Sequence, residues 1–322
     1  MSRFITAVPL IAGFLLDAVI GDPYSIPHPI KAIGNLIAAF EKMVRKKYRD
    51  LRKGGAVLAA AVVTVSAAAP LILLMVCYKV HIVLGLTAES ILTCYMLAAR
   101  CLYNESMKVC RAAEKGDTEE ARKAVSMIVG RDTSVLDRDG IIRAAVETVA
   151  ENTSDGVTAP IFYMALGGAV CGFIYKAVNT MDSMIGYRNA KYADIGRAAA
   201  KADDMLNFIP SRLTALIMCL TAPLAGLDGQ GAFRIWKRDR LKHDSPNSAQ
   251  TEAACAGALG VRLAGDAVYF GEVHRKEFIG DDRRPIESGD IRRANRLMYV
   301  SSSVMLLLGA AFRILIFGGM MI

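Results

Sequence analysis

The 322-residue sequence lacks the cysteine pattern of a disulfide framework or a zinc site, since none of its seven cysteines forms a CxxC pair. Most of them lie in apolar or helical stretches, which favours reduced packing residues. The Walker pattern GxxxxGKS or GxxxxGKT and a GxGxxG loop after a strand are also absent. A nucleotide, if the protein uses one, is therefore held in another way.

Aromatic residues make up only 7% of the sequence, and no aromatic-interleaved basic surface accompanies its formal charge of +8. The positive surplus is local, because the segment 42–53, KMVRKKYRDLRK, holds seven basic residues and one acid. By the positive-inside rule this loop faces the cytoplasm, and we expect it to contact anionic lipid headgroups. No nucleic-acid partner is expected.

Hydrophobic residues make up 53% of the sequence, more than is typical of a soluble protein. A membrane-spanning helix needs about 20 mostly apolar residues, and the segment 55–77 supplies them without one charge. The N-terminal run has no small-residue cleavage site before DAVIGDP, so it is predicted to remain as a helix. We predict a single all-α, multi-pass membrane domain over 1–322 with apolar segments at about 4–20, 55–77, 82–99, 157–175, 206–227 and 298–322.

Polar stretches at 100–156, 176–205 and 228–297 separate these apolar segments. The part 100–129 is predicted to be a helical hairpin that turns at KGDT, where Asp117 can cap the second helix. The hairpin places polar helices outside the apolar segments.

A further helix is predicted after Asp137, a residue type that favours the N-cap position. On this helix Arg143, Glu147 and Glu151 recur every four residues, so they share one face. The face ends beside the uncharged segment 157–175.

Two apolar segments are poor candidates for plain spanning helices, because Pro160 and three glycines interrupt 157–175 and Arg212 lies within 206–227. Broken helices at membrane depth are tolerated where they are buried in protein or line a wet cavity. We therefore predict that both segments dip into a cavity open to the cytoplasm and bring 176–205 towards 147–155.

Acids and amides gather on both sides of the segment 157–175. They are Glu147, Glu151, Asn152, Asp155, Asn179, Asp182 and Asn189. Such oxygen donors suit Mg²⁺, which takes one or two carboxylates and leaves its other positions to water and phosphate. Nearby cations suited to phosphate or carboxylate are Arg131, Lys176, Arg188 and Arg212. For any one residue an ion pair or cap is the simpler interpretation, whereas the whole cluster beside membrane segments favours a Mg²⁺-phosphate site.

The histidines are ambiguous from the sequence alone. In HDSPN, His243 is adjacent to Asp244 and Ser245, but adjacency does not make a catalytic triad, and the loop can equally be an Asx-type turn. His28 lies between two prolines, where a turn residue is at least as plausible as a ligand.

Five segments together resemble the adenosylcobinamide-phosphate synthase family, called CbiB or CobD, over roughly residues 10–265. They are LLDAVIGDPYSIPHPIKAIGNLI, GRDTSVLDRDGIIRAAVETVAENTSDGVTAPIFY, GGAVCGFIYKAVNTMDSMIGYRN, ADDMLNFIPSRLTAL and HDSPNSAQTEAACAGALGVRL. The resemblance implies a cell-membrane enzyme of cobalamin biosynthesis with its active site facing the cytoplasm. Such an enzyme joins the free propionate of adenosylcobyric acid to 1-amino-2-propanol or its O-phosphate, using ATP as co-substrate and Mg²⁺.

The resemblance also suggests roles for individual residues. We predict catalytic roles for Glu147, Glu151, Asp155 and Asp182, with Glu147, Glu151 and Asp182 as Mg²⁺ ligands. Substrate-binding roles are predicted for Asp22, His28, Arg131, Asn152, Lys176, Asn179, Arg188, Asn189, His243 and Asn247. Other late corrin-pathway membrane enzymes are plausible partners.

Two other classes of protein remain open at this point. The first is a non-enzymatic membrane sensor or regulator similar to the AmpE-like proteins, which would not need the acids of ETVAENTSDG and NTMDSM. The second is a corrinoid transporter, which inverted repeats would favour, and the sequence has none. The retained acids favour the synthase.

Overall fold

The computed structural model of the protein describes residues 3–21, 28–187, 189–269 and 271–318. Within these ranges the fold is almost entirely helical. The α-helices are α1 Val8–Ile20, α2 Pro29–Lys47, α3 Leu51–Val80, α4 Ile82–Met96, α5 Ala99–Glu114, α6 Thr118–Ser126, α7 Arg138–Asn152, α8 Ala159–Ile185, α9 Arg197–Thr221, α10 Gly229–Asp239, α11 Ser248–Leu259 and α12 Gly289–Phe317.

Short segments of other structure complete the described chain. Two are 3-10 turns, Arg3–Ala7 and Ala222–Ala225, and one is a π-helical turn, Thr153–Thr158. Two antiparallel strand pairs lie between α11 and α12: β1 Leu263–Ala264 with β4 Phe278–Ile279, and β2 Ala267–Tyr269 with β3 Glu272–His274.

In the described part of the chain, five helical stretches are long and apolar enough to cross a membrane. They are Leu51–Val80, Ile82–Glu114, Arg138–Ile185, Arg197–Ala225 and Gly289–Phe317, with a shorter apolar helix at Phe4–Ile20. On α3 the apolar side chains of Ile72 and Val76 are 61% and 56% exposed, as expected of a surface that contacts lipid rather than water. The prediction of an all-α multi-pass membrane protein is confirmed.

The chain forms two compact units, each assembled from separate stretches. The first unit contains 1–98, 159–207 and 306–322, and the second contains 99–158 and 208–305. The prediction that 1–322 acts as one synthase domain stays a prediction.

In the first unit, α8 is broken where the sequence predicts an interruption. Gly167 and Gly168 leave helical geometry, and Gly168 adopts φ 64°, a conformation that glycine reaches without steric cost. Glu89 accepts a hydrogen bond from the N–H of Ala169 at 3.4 Å, and Arg313 donates to the carbonyl of Met164 at 2.7 Å. Backbone groups freed by the break thus find charged partners, as a helix end buried in protein requires.

The segment 206–227 differs from the prediction, because α9 continues through Pro210 and Arg212 to Thr221 without a break. The guanidinium of Arg212 bonds the carbonyl of Phe208 at 2.8 Å and stacks over its ring at 3.6 Å. This local pairing accommodates the charge within a regular helix, so no interruption is needed.

The second unit begins with the predicted helical hairpin. α5 and α6 are joined at KGDT, and the carboxylate of Asp117 caps α6 by accepting the N–H of Glu120 at 2.9 Å. Asp137 caps α7 in the same way through the N–H of Gly140 at 2.7 Å. Both caps confirm the sequence interpretation, because short acidic side chains satisfy the N–H groups of a first helical turn.

The helix α11 is buried along its whole length in the second unit. Trp236 of α10 donates its indole N–H to Gln250 at 3.0 Å, and the Gln250 amide donates to the carbonyls of Arg240 and Pro246. These contacts fix the segment 240–250 against α10, and this segment carries part of the site described next.

Candidate active site

A small polar cavity lies in the second unit, and we call it the acid cavity. Its volume is about 180 Å³. The residues that line it come from the loop before α7, from α7 and α11, from β1 and from the loops at 243 and 276. They are Ile128, Val129, Gly130, Arg131, Glu147, Thr148, Glu151, Asn152, His243, Glu252, Ala264, Gly265 and Lys276.

Glu147 anchors one wall of the acid cavity and is only 6% exposed. One carboxylate oxygen pairs with the guanidinium of Arg131, and the other accepts the N–H of Ala264 at 2.7 Å. Ala264 holds an unusual φ of 59°, which is rare for a residue with a side chain and is found at constrained functional sites. The buried charge of Glu147 is therefore paired and hydrogen-bonded, as burial requires.

Glu151 lies one helical turn beyond Glu147 on the same face of α7, as the spacing predicts. One of its oxygens accepts a hydrogen bond of 2.7 Å from the hydroxyl of Ser248, the first residue of α11. Asn152 also lines the cavity, and its amide donates to the carbonyl of Thr148 at 3.0 Å. The structure thus brings Glu151 and Asn152 beside Glu147.

Glu252 is the third carboxyl group of the acid cavity, one helical turn after Ser248 on α11. Burial raises its pKa well above the ordinary value, and the neighbouring charges of Glu151 and Glu147 raise it further, while Lys276 and Arg131 oppose them. Burial and the nearby acids thus favour the protonated form of Glu252.

His243 and Lys276 form the basic side of the acid cavity. The Lys276 Nζ lies 3.5 Å from His243 Nε2, and His243 Nδ1 accepts the N–H of Ser245 at 3.0 Å. Burial lowers the pKa of His243, and the adjacent Lys276 lowers it further, against the opposing effect of Glu151. A neutral imidazole is therefore favoured, and a neutral imidazole can accept a proton.

The loop that carries His243 is tied to α9 through Asn247, which is 5% exposed. The side-chain oxygen of Asn247 accepts from Ser211 at 3.3 Å and from Arg212 at 3.1 Å, and Arg212 also bonds the carbonyl of Pro246 at 3.3 Å. Asn247 does not line the acid cavity. Its contacts are those of a residue that positions the His243 loop.

The acid cavity unites five of the predicted site residues: Arg131, Glu147, Glu151, Asn152 and His243. Asp155 belongs to the same unit, in the π-helical turn after α7, and does not line the cavity. Asp22 and Arg188 lie outside the described residues. The remaining predicted residues, His28, Lys176, Asn179, Asp182 and Asn189, belong to the first unit.

Three of these first-unit residues have local structural contacts. His28 accepts the N–H of Ile30 at 3.2 Å and so caps α2. Asn179 donates to Asp203 at 3.3 Å, and Asn189 accepts the N–H groups of Lys191 and Tyr192 at 3.1 Å, the pattern of an Asx turn. The predicted approach of 176–205 to 147–155 stays a prediction.

Whether the acid cavity suits Mg²⁺ depends on which carboxylate oxygens its acids can offer. Among the described residues, no group of three or more His, Cys, Asp or Glu side chains is arranged to hold a metal ion. Both oxygens of Glu147 already accept hydrogen bonds, from Arg131 and Ala264, and Ser248 bonds one oxygen of Glu151. Glu151 is therefore the carboxylate of this cavity best suited to Mg²⁺, which commonly uses one or two carboxylates, and the predicted magnesium site at Glu147, Glu151 and Asp182 stays a prediction.

Sequence reasoning missed Ser248, Glu252 and Lys276. A signal for Glu252 exists, since it is the only charged residue between Asp244 and Arg262, within a run of small residues. A single acid in a helix destined for burial is costly, and such acids are enriched at functional sites. Lys276 has no comparable signal, because the surrounding sequence is rich in charge.

The fold and the acid cavity together define a helical membrane protein with a polar, ionisable site, and comparison with known proteins identifies the family. A sequence model of the CobD/Cbib protein family matches residues 10–298. The cobalamin biosynthesis protein CobD of Geobacter metallireducens is 47% identical over 301 residues, which cover 94% of this chain and 95% of the relative.

Two further relatives carry the same name. The protein of Citrobacter koseri is 47% identical over 309 residues, covering 95% of this chain and 97% of the relative. That of Listeria monocytogenes is 42% identical over 308 residues, covering 95% and 98%. No solved structure matches the chain. The chain belongs to the CobD/Cbib family.

Proposed function

We propose that this protein is a biosynthetic enzyme of the cobalamin pathway that forms an amide bond. Its substrates are the free propionate carboxylate of adenosylcobyric acid, 1-amino-2-propanol or its O-phosphate, and ATP. The proposal combines the names of the relatives with one structural observation: the acid cavity holds paired acids, a guanidinium and an imidazole favoured in its neutral form. These are the groups that carboxylate activation and amine deprotonation require.

The chemistry proceeds in two steps. First, an oxygen of the propionate attacks the γ-phosphorus of ATP, the bond from that phosphorus to the β,γ-bridging oxygen breaks, and ADP leaves. Second, the amine nitrogen attacks the acyl carbon, and the bond from carbon to the phosphate oxygen breaks to release phosphate. Activation is needed because a carboxylate by itself is a poor acyl donor.

Particular side chains suit particular parts of this reaction. Arg131, held in place by Glu147, presents a guanidinium that can pair with a phosphate or carboxylate oxygen. His243 is the best candidate to take the proton lost by the amine, since burial and Lys276 favour its neutral form. Glu151, fixed by Ser248, is the acid that would hold Mg²⁺, which when bound supplies positive charge to the transferring phosphoryl group.

The volume of the acid cavity limits what it can enclose. At about 180 Å³ it is smaller than the usual 300–1,000 Å³ of sites for whole small molecules. We therefore propose that the acid cavity receives only the reacting ends, namely the propionate tip, the amine and the transferred phosphoryl group. The corrin ring would remain outside it.

The proposed location is the cell membrane, with the acid cavity facing the cytoplasm. Support comes from the five apolar helical stretches and from the basic run 42–53, which spans the junction of α2 and α3. The positive-inside rule places such a run on the cytoplasmic side. ATP is available on that side.

The test is a reconstitution with purified full-length protein in detergent. Adenosylcobyric acid, Mg·ATP and either 1-amino-2-propanol or its O-phosphate are supplied, and the corrinoid mass and phosphate release are followed together. Amide product with one phosphate released per amide supports the proposal, and the two amine arms identify the substrate. No amide under conditions where a control synthase is active rejects the enzyme and favours a sensor or a corrinoid transporter.

A further inference from the structure

A second cavity of the second unit is lined by arginines, and the proposed reaction assigns no role to it. Its volume is about 480 Å³, and we call it the arginine cavity. Its charged lining residues are Arg143, Arg262, Arg283, Arg284, Asp139 and Asp282. Four guanidinium groups face two carboxylates, so the lining carries a positive surplus. The two cavities have no lining residue in common.

One of the four arginines, Arg284, is held by hydrogen bonds within the protein. Arg284 forms two hydrogen bonds with the buried carboxylate of Asp290, at 2.9 and 2.5 Å, and donates to the carbonyl of Leu259 at 3.0 Å. Such a two-pronged pair is typical of structural arginines. Arg284 therefore lines the cavity, but its donors are occupied by these hydrogen bonds.

Arg262 and Arg283 are only partly used. Arg262 contacts Asp282 at 3.2 Å and stacks over the ring of Phe278 at 4.3 Å, while its buried Nε has no acceptor among the described residues. Within the same part of the chain, the ion pairs of Arg283 are long, at 3.5 Å to Asp228 and 4.0 Å to Asp281. Both side chains retain N–H donors for a further acceptor.

Of the four arginines, Arg143 has the fewest polar contacts with the described residues. Its Nε is buried and without a hydrogen-bond partner, and the guanidinium forms no ion pair with any described residue. The guanidinium stays charged, so an anion that reaches it gains a charge-assisted hydrogen bond. Arg143 lies four residues before Glu147 on α7, about 6 Å along the helix axis.

We propose that the arginine cavity is a binding site for a phosphate group, held by Arg143 with help from Arg262 and Arg283. Guanidinium groups match phosphate oxygens through paired N–H donors, and several of them around one space favour a multiply charged anion over a single carboxylate. The phosphate can belong to a soluble phosphate compound or to a phospholipid headgroup. The proposal goes beyond amide ligation, because anion binding here does not require that reaction.

The test is equilibrium dialysis of the purified full-length protein in detergent, without Mg²⁺. The probes are ³²P-labelled inorganic phosphate, pyrophosphate and ATP, each with and without added phosphatidylglycerol. We expect saturable binding of at least one probe and about tenfold weaker binding in Arg143→Gln, the loss typical of one charge-assisted hydrogen bond. The matched control is Arg111→Gln on α5, an exposed arginine of the same unit, which should bind like the wild type.

The lipid arm separates the two sources of phosphate. Binding that phosphatidylglycerol does not displace identifies a soluble ligand. If soluble probes do not bind, phosphatidylglycerol retained by the wild type but not by Arg143→Gln identifies a headgroup site. Absence of saturable binding in every arm overturns the proposal, as does equal binding by Arg143→Gln and the wild type.

A second variant controls for misfolding of Arg143→Gln. If Arg143→Gln lowers the thermal stability, Arg283→Gln replaces it, since the contacts of Arg283 are long and its side chain is 47% exposed. Wild-type affinity in Arg283→Gln then counts against the site. Failure of the proposed ligase is a separate result: anion binding that depends on Arg143, with no amide product, retains this site and rejects only the ligase.

Discussion

Buried glutamates occur in both units, and their partners differ. In the first unit, Glu89 is 8% exposed and accepts the hydroxyl of Tyr78 at 2.6 Å and the N–H of Ala169 at 3.4 Å. In the second unit, Glu147, Glu151 and Glu252 all line the acid cavity. One buried acid stabilises a break in a helix, while three share a space that a ligand can enter.

Burial of an acid beside a membrane segment does not by itself indicate catalysis. Buried ionisable groups in membrane proteins are expensive and often functional. The partners distinguish the cases, because Glu89 bonds a tyrosine and a backbone N–H, whereas the acids of the second unit share a cavity with three basic residues.

Replacing Glu151 by Gln should reduce amide formation by about 10²- to 10⁴-fold, because the carboxylate that would hold Mg²⁺ is lost and with it several kcal/mol of charge stabilisation. Gln retains the size and can still accept from Ser248, so thermal stability should stay near that of the wild type. The measurement is the initial rate of corrinoid amide formation, with unfolding temperature alongside. Glu119→Gln, which changes a glutamate whose side chain is 85% exposed, is the control. Equal rates in both variants would place Glu151 outside the reaction.

Replacing Gly168 by Ala should destabilise the first unit by about 2 to 4 kcal/mol, combining backbone strain with overpacking. Gly168 has φ 64°, and an added Cβ would lie 2.4 Å from the Glu89 carboxylate. The measurement is thermal unfolding in detergent.

Gly116→Ala is the matched control for that substitution. Gly116 has φ 75°, yet no atom lies within 4 Å of an added Cβ, so it reports backbone strain alone, about 1 kcal/mol. If Gly168→Ala loses no more stability than Gly116→Ala, then contact with Glu89 does not limit the side chain that the break in α8 can hold at position 168.

Replacing Glu252 by Gln should flatten the dependence of stability on pH. The folded state raises the pKa of Glu252 above 4.5, so it holds the proton more tightly than the unfolded chain does. Stability from this group is therefore complete below pH 4.5 and declines as pH rises towards the folded pKa, by up to about 1.4 kcal/mol per pH unit.

The check is the unfolding temperature of the wild type and Glu252→Gln between pH 5 and 8. The wild type should lose more stability than the variant as pH increases. Parallel curves for the two proteins would show that Glu252 ionises in the folded state as readily as in the unfolded chain.

Replacing Glu89 by Gln should have the smallest effect, a loss of about 1 kcal/mol from a weakened charge-assisted hydrogen bond. The rate of amide formation per folded molecule should not change, in contrast to Glu151→Gln. Unfolding temperature and the amide assay together measure this, and Tyr78→Phe, which removes the donor to Glu89, should give a similar loss. A catalytic defect in Glu89→Gln would remove the distinction between the two groups of acids.

Local features of the fold were predictable from short stretches of sequence. The caps at Asp117 and Asp137 and the break at Gly167 and Gly168 depend on neighbouring residues, so the pattern predicts them. The continuous course of α9 was not predictable, because Arg212 is accommodated by a contact with Phe208 and by the loop of Asn247. A charge in an apolar segment is tolerated where such partners lower the cost of burying it.

The candidate site was predictable where it follows helix periodicity. Glu147, Glu151 and Asn152 lie on α7, and the interval of four residues places both acids on one face. Glu252 and Lys276 reach the same cavity only through the packing of α11 and of the loop after β3. No periodicity relates residues separated by more than one hundred positions.

By itself, the sequence determined the membrane class, the family and the placement of Glu147 and Glu151 on one face of α7, since hydropathy, motif order and helical spacing are properties of the chain. Only the tertiary structure decided that Glu252 and Lys276 complete this cavity and that Arg143 lines a separate cavity with three other arginines. The physical reason is that the ionisation and pairing of a buried side chain depend on which distant groups packing brings within a few ångströms.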